Sequence, residues 1–192
     1  MNRCDRLRCV FFHVPRTGGS SIESLDWWDE WTGHLPSALE ANCPGDYFSF
    51  AFVRNPWDRF VSLFHYFATM TPGHRWYPAN AELAAQVQRF GSFADFCHTF
   101  HGWAYRDNLH FRPQCSWIAD GSGRTLVDFV GRFEQLQQDF ASVCARLGVA
   151  RHKLPKLNGS GHRPYRDYYD DETNEIVAAL SRRDIAAFGY DF

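Results

Sequence analysis

The apolar residues of this chain fall into two kinds of pattern. Short, nearly unbroken apolar runs lie at Leu7 to Val14, Tyr47 to Val53 and Leu126 to Val130, rich in aromatic and β-branched side chains. Runs without polar alternation suit strands buried on both faces of a parallel sheet. Between them the apolar positions recur at helical spacing. Asn55 is a good N-cap and Pro56 a good first helical residue, and Trp57, Phe60, Val61, Phe64 and Phe67 then share one helical face, which predicts a helix to about Met70. Further helices are predicted from Ser21 to about Trp31, from Glu82 to Phe90 within a looser insertion at 71–91, from Ser92 to Phe100, from Glu134 to Leu147 with Gly148 as its stop, and from Asp170 to Arg183 with acidic residues at its start. Strands alternating with helices predict an α/β fold with a mainly parallel sheet. No repeat, low-complexity stretch or domain boundary interrupts the pattern, so residues 1–192 read as a single domain.

Composition narrows the class. A chain of 192 residues with 45% hydrophobic and 17% aromatic residues can build a sizeable core, which excludes a disordered tail or a fibrous repeat. The net charge of −2 gives no global basic field, so no nucleic-acid partner is expected. Of the 20 basic side chains, all but Lys153 and Lys156 are arginine, the residue suited to bidentate recognition of phosphate or carboxylate, although codon bias accounts for the ratio equally well. Cys4, Cys9, Cys43, Cys97, Cys115 and Cys144 contain no C-x-x-C pair. Several lie within apolar runs and read as small buried hydrophobes in a reducing compartment. No apolar run has the length of a membrane span or a signal peptide, and the expectation is a soluble, cytoplasmic protein without a membrane partner.

Two segments carry candidate chemistry. Pro15-Arg16-Thr17-Gly18-Gly19-Ser20-Ser21 follows the first strand and opens the first helix. Such a loop offers backbone N–H groups to an anion, with Thr17, Ser20 and Ser21 as hydroxyl donors and Arg16 as a charge. It is not a Walker A loop, since G-x-x-x-x-G-K-[ST] is absent. The plainer alternative is a capped turn in which Ser20 and Glu23 form a capping box. In the second segment Arg54 ends a strand and Ser62 follows two helical turns on, so both could grip one phosphate at the carboxyl edge of the sheet. Two anion sites at successive strand ends suggest a nucleotide with two separate phosphate groups.

At these residues the chain resembles the sulfotransferases that use 3′-phosphoadenosine-5′-phosphosulfate (PAPS), in particular the carbohydrate branch of the family 2 type. The family's phosphosulfate loop, Pro-Lys-Thr-Gly-Gly-Thr-Ser, is matched by Pro15 to Ser21, and its 3′-phosphate motif by Arg54-Asn55-Pro56 with Arg59 and Ser62. His110-Phe111-Arg112-Pro113-Gln114, Val130-Gly131-Arg132-Phe133-Glu134 and Phe188-Gly189-Tyr190 extend the likeness over nearly the whole chain. The resemblance implies a P-loop-like fold with the sheet flanked by helices on both faces. It also implies transfer of a sulfuryl group to a hydroxyl acceptor, a carbohydrate first among them, by in-line displacement with release of 3′,5′-adenosine bisphosphate (PAP) and no metal. It places the cofactor on Arg16, Thr17, Gly18, Gly19, Ser20, Ser21, Arg54 and Ser62, with Arg163 in a late loop folding over the nucleotide. Arg16 stands where the family has lysine. Arginine can also stabilise the leaving phosphate, but its planar fork differs from a compact ammonium.

The acceptor hydroxyl needs a general base, and a histidine suits neutral pH. The family's base lies between the loop helix and the second strand, where Thr32-Gly33-His34-Leu35-Pro36 stands, so His34 is the first candidate. His110 is the second, with Gln114 as a substrate or orientation contact. Cys97, His98 and His101 read as a helix face with a buried cysteine, and Trp27, Trp28 and Trp31 mainly as core. A small nucleotide-dependent kinase lacks its Walker lysine here. A non-catalytic nucleotide- or glycan-binding module would leave His34 without a use. The acceptor and the oligomeric state are open at this level.

Overall fold

Five strands form one sheet in the order β3-β1-β2-β4-β5: β1 (Asn2–Cys4), β2 (Cys9–Phe12), β3 (Glu30–Trp31), β4 (Phe48–Val53) and β5 (Phe129–Arg132). The computed structural model describes residues 1–33, 43–120, 122–157 and 161–192. β2, β4 and β5 run parallel, as their apolar runs predict, whereas β1 pairs antiparallel with both β2 and β3. The sheet is therefore mixed, and the class is α/β. The antiparallel edge escapes the sequence pattern because β1 and β3 are too short to show a period.

Two compact units divide the chain, Met1–Arg54 with Pro113–Gly159, and Asn55–Arg112 with Ser160–Phe192. The first holds the sheet, α1 (Gly19–Glu23), a short helix at Cys115–Ile118 and a helix at Leu136–Arg146. Its core joins Phe11, Phe50 and Phe52 of the sheet to Ile22, Trp27, Phe140 and Val143. Phe11 stacks on Phe50 at 5.3 Å and Trp27 on Phe140 at 5.4 Å. Gly131 of β5 leaves room for the Phe52 ring, which would lie 2.3 Å from any Cβ placed there. The second unit is helical, and α2 (Pro56–Ala68) is its centre. Asn55 caps α2 by accepting from the N–H groups of Trp57 and Asp58, and Phe60 stacks on Phe96 in an aromatic core.

Several boundaries depart from the sequence reading for local reasons. α1 ends at Glu23 rather than near Trp31. The Ser24 hydroxyl donates to the Ser21 carbonyl and the Trp28 indole N–H to the Ile22 carbonyl, taking acceptors that a longer helix would use. The chain then reaches Glu30 and Trp31 as a strand, leaving Trp31 51% exposed while Trp27 is buried. Tyr77, with Pro78 in the first turn, starts the helix expected from Glu82, so that proline opens a helix instead of breaking one. The last predicted helix is two, Asp171–Leu180 and Arg182–Phe188. All the cysteines are free, and five of them are buried; burial pushes the Cys9 and Cys97 thiols up to about 12. Among the described residues no helix is long and apolar enough to cross a membrane.

Candidate functional site

The glycine loop leaves β2 at Phe12 and turns into α1. Two of its residues have left-handed backbones, Arg16 at φ 69° and Gly18 at φ 85°. A left-handed arginine costs of order 1–3 kcal/mol and persists only where its surroundings impose it. Gly18 is required by its φ and by space, since a Cβ would come within 2.8 Å of Leu136. Gly19 is required by space alone: a Cβ there would sit 2.2 Å from the imidazole of His13. The paired glycines thus first serve packing within the protein.

The three loop hydroxyls are placed differently. Thr17 is fully buried and its Oγ1 donates to the Val14 carbonyl at 2.8 Å, so its proton is turned inward. Ser21 is buried and its Oγ accepts from the Leu157 N–H at 3.4 Å. Ser20 is the most accessible of the three. Gly18 is the N-cap of α1 and places Ser20 inside the helix, so the alternative Ser20–Glu23 capping box does not form. Glu23 instead meets His13, with Oε1 2.8 Å from Nδ1. Because α1 is only five residues long, its dipole is small, and an anion at this loop would depend on backbone N–H groups and arginine.

Arg54 lies just beyond the last paired residue of β4, where Val53 faces Arg132. Its guanidinium Nη1 donates to the Arg16 carbonyl at 3.3 Å and its Cζ lies 4.2 Å from the centre of the Phe133 ring. The ends of β2 and β4 are neighbours in the sheet, so this contact ties the loop to the arginine. Gln114 fixes the arginine's main chain. Its Oε1 accepts from the Arg54 N–H and its Nε2 donates to the Arg54 carbonyl, both at 2.8 Å. The Gln114 side chain is fully buried, and these two bonds spend it on the Arg54 main chain.

The remaining candidates belong to the second unit or lie outside the described residues. Ser62, on α2, is fully buried. His65, one turn on, is held below the usual imidazole range by burial, then by the charges of His162 and Arg163. His110 packs edge-on against Phe67 at 5.2 Å, its Nε2 is 3.1 Å from Asn80 Oδ1, and its carbonyl accepts from the Arg59 guanidinium at 2.8 Å. Arg163 is exposed, its guanidinium 5.0 Å from the Tyr168 ring centre. His34 falls within 34–42, outside the described residues. Among the described residues no group of His, Cys, Asp or Glu is arranged to hold a metal.

Residues 24–191 match the model of the sulfotransferase family. The chain belongs to that family. Sulfotransferase membership makes it a transferase whose acceptor bears a hydroxyl. The match begins after the glycine loop, so Pro15 to Ser21 are evidence separate from it. An uncharacterized protein of Archaeoglobus fulgidus is 28% identical over 120 residues, covering 62% of this chain and 83% of that protein. No solved structure matches.

The sequence reading missed the His13–Glu23 contact and the Phe133 seat of Arg54. A signal existed for the first. His13 is a lone polar residue in an apolar run, and a buried imidazole needs a polar partner. Nothing in sequence could choose Glu23, since its spacing from Ser20 fits a capping box equally well.

Proposed function

We propose that this sulfotransferase moves a sulfuryl group from PAPS to the hydroxyl of a carbohydrate. The observation that carries the reading is the bond between Arg54 and the Arg16 carbonyl, which joins a glycine-rich loop and an arginine at two adjacent parallel strand ends. Guanidinium groups at 16 and 54 and a loop whose glycines bare the backbone suit a nucleotide with phosphates at two positions. The loop is assigned the 5′-phosphosulfate, and Arg54 the 3′-phosphate. The resemblance adds Ser62 and Arg163 on the nucleotide. Bound there, PAPS supplies the activated sulfuryl group. Arg16 holds the leaving phosphate oxygen and offsets the charge that grows on it as the sulfur–oxygen bond breaks. His34, with His110 as second candidate, takes the acceptor's proton while the acceptor oxygen attacks sulfur in line.

The test is incubation with PAPS and a panel of sugar, alcohol, phenol and peptide acceptors, following PAP formation and acceptor mass. Acceptor-dependent PAP with a sugar gaining one sulfuryl group supports the proposal. PAP formation with no acceptor in the panel modified counts against transfer, and activity confined to phenols moves the acceptor class.

A further inference from the structure

We propose that His13 and Glu23 form a positioning pair that sets the angle of the glycine loop for the nucleotide's 5′-phosphate, an inference resting on the PAPS reading above. α1 is too short to hold its own direction, because an isolated helix of five residues is far below the length that is stable in water. Its direction must come from contacts, and one side chain touches both of its ends. The His13 ring fills the space a Cβ of Gly19, the first residue of α1, would need, and its Nδ1 lies 2.8 Å from the carboxylate of Glu23, the last. The ring is also stacked on Phe11 at 5.7 Å and 20°. His13 is 9% exposed, so the contact is shielded from water and salt.

Geometry explains why a polar pair stands where an apolar one would pack as well. An aliphatic side chain at 13 would fill the space at Gly19 but make no polar approach to Glu23, whose Oε1 lies 2.8 Å from Nδ1 without hydrogen-bond alignment, so the pair holds the distance between the strand end and the far end of α1. The anchor at 13 and the anchors at 19 and 23 bracket the loop, including the left-handed residues Arg16 and Gly18. Thr17, bonded back to Val14, closes the inner side. Neither His13 nor Glu23 is assigned a contact with the nucleotide; they act through the backbone of 16–20.

The experiment measures the affinities of PAP and AMP by calorimetry for the wild type, His13→Ala, His13→Gln and Glu23→Gln, below each variant's melting temperature. Partners that orient metal ligands cost about 10- to 100-fold in affinity when removed, and a loss of that order is expected for partners that orient this loop. Because both nucleotides carry the 5′-phosphate, His13→Ala should weaken both by one common factor of about 10 or more, leaving their ratio at the wild-type value. Below the melting temperature more than half of the molecules are folded, so a global loss of stability would weaken both nucleotides by less than about twofold. His13→Gln, which keeps a side-chain N–H for Glu23, should recover part of the loss. Gly19→Ala should cost less in the His13→Ala background than in the wild type, since its Cβ then enters vacated space. Wild-type affinity for both nucleotides in His13→Ala, with only the melting temperature lowered, would make His13 a packing residue and overturn the proposal. Should His13→Ala not fold, wild-type affinities in both His13→Gln and Glu23→Gln overturn it. If the wild type binds neither nucleotide, the PAPS reading fails and this inference with it.

Discussion

Replacing Gln114 by alanine separates a structural role from an acceptor contact. Arg54 follows the last ladder residue of β4, so its N–H and C=O have no strand to bond, and the Gln114 amide stands in for one with two bonds of 2.8 Å. The side chain is fully buried, so water cannot simply replace it. Each orphaned buried group costs about 1–3 kcal/mol, giving roughly 2–6 kcal/mol for the pair. At about 2–4 °C per kcal/mol for a chain of this size, Gln114→Ala should lower the melting temperature by about 5–20 °C. PAP affinity should fall too, because the base of the Arg54 side chain loses its anchor, whereas the acceptor KM should hold at saturating PAPS. Gln114→Glu sharpens the test. Its carboxylate still accepts from the Arg54 N–H but opposes the Arg54 carbonyl, so it should be destabilised at neutral pH. Facing the Arg54 carbonyl, that carboxyl should be harder to ionise in the folded state than in the unfolded chain, so the deficit relative to wild type should shrink as the pH falls and a protonated acid can donate to the carbonyl. Thermal melts across pH, nucleotide calorimetry and acceptor kinetics read these effects. An unchanged melting temperature with a raised acceptor KM would refute the reasoning and restore Gln114 as a substrate contact.

The other expectations concern the charges and histidines. Arg54→Ala should weaken PAP about 10- to 100-fold, the worth of a charge-assisted bond of about 1.5–3 kcal/mol, and narrow the gap between PAP and AMP in calorimetry; a lower melting temperature with the gap intact would place Arg54 in a structural network. His34→Ala should cut turnover by about 10²–10⁴ while leaving PAP affinity unchanged, as for a general base. Near-normal turnover there with a collapse in His110→Ala transfers the role, and activity in both variants excludes a histidine base. His65 is depressed in the fold mainly by burial, so the unfolded chain takes up its proton first as the pH falls below about 6.5. Stability should therefore be present above that pH and decline below it, and His65→Gln should flatten the decline in denaturant melts; an equal slope in both proteins assigns the acid sensitivity elsewhere.

What the sequence determined by itself is local. The apolar runs that became β2 and β4 were legible because a strand buried on both faces leaves no polar alternation, whereas β5, half-buried at the sheet edge, overlaps its run only at Phe129 and Val130; α2 was legible because its cap, its proline and its aromatic spacing agree. The order of the motifs pointed to the family, since spacing along the chain is a property of sequence. Tertiary structure alone decided what each candidate side chain touches. Thr17 turns its proton inward, Gln114 is spent on Arg54, and Glu23 meets His13 instead of capping α1. The short antiparallel strands β1 and β3 likewise exist only by pairing, β3 with β1 and β1 with β2. The physical reason is common to these cases. A buried polar group must find a partner, and the nearest suitable one is fixed by folding together residues that the chain keeps apart.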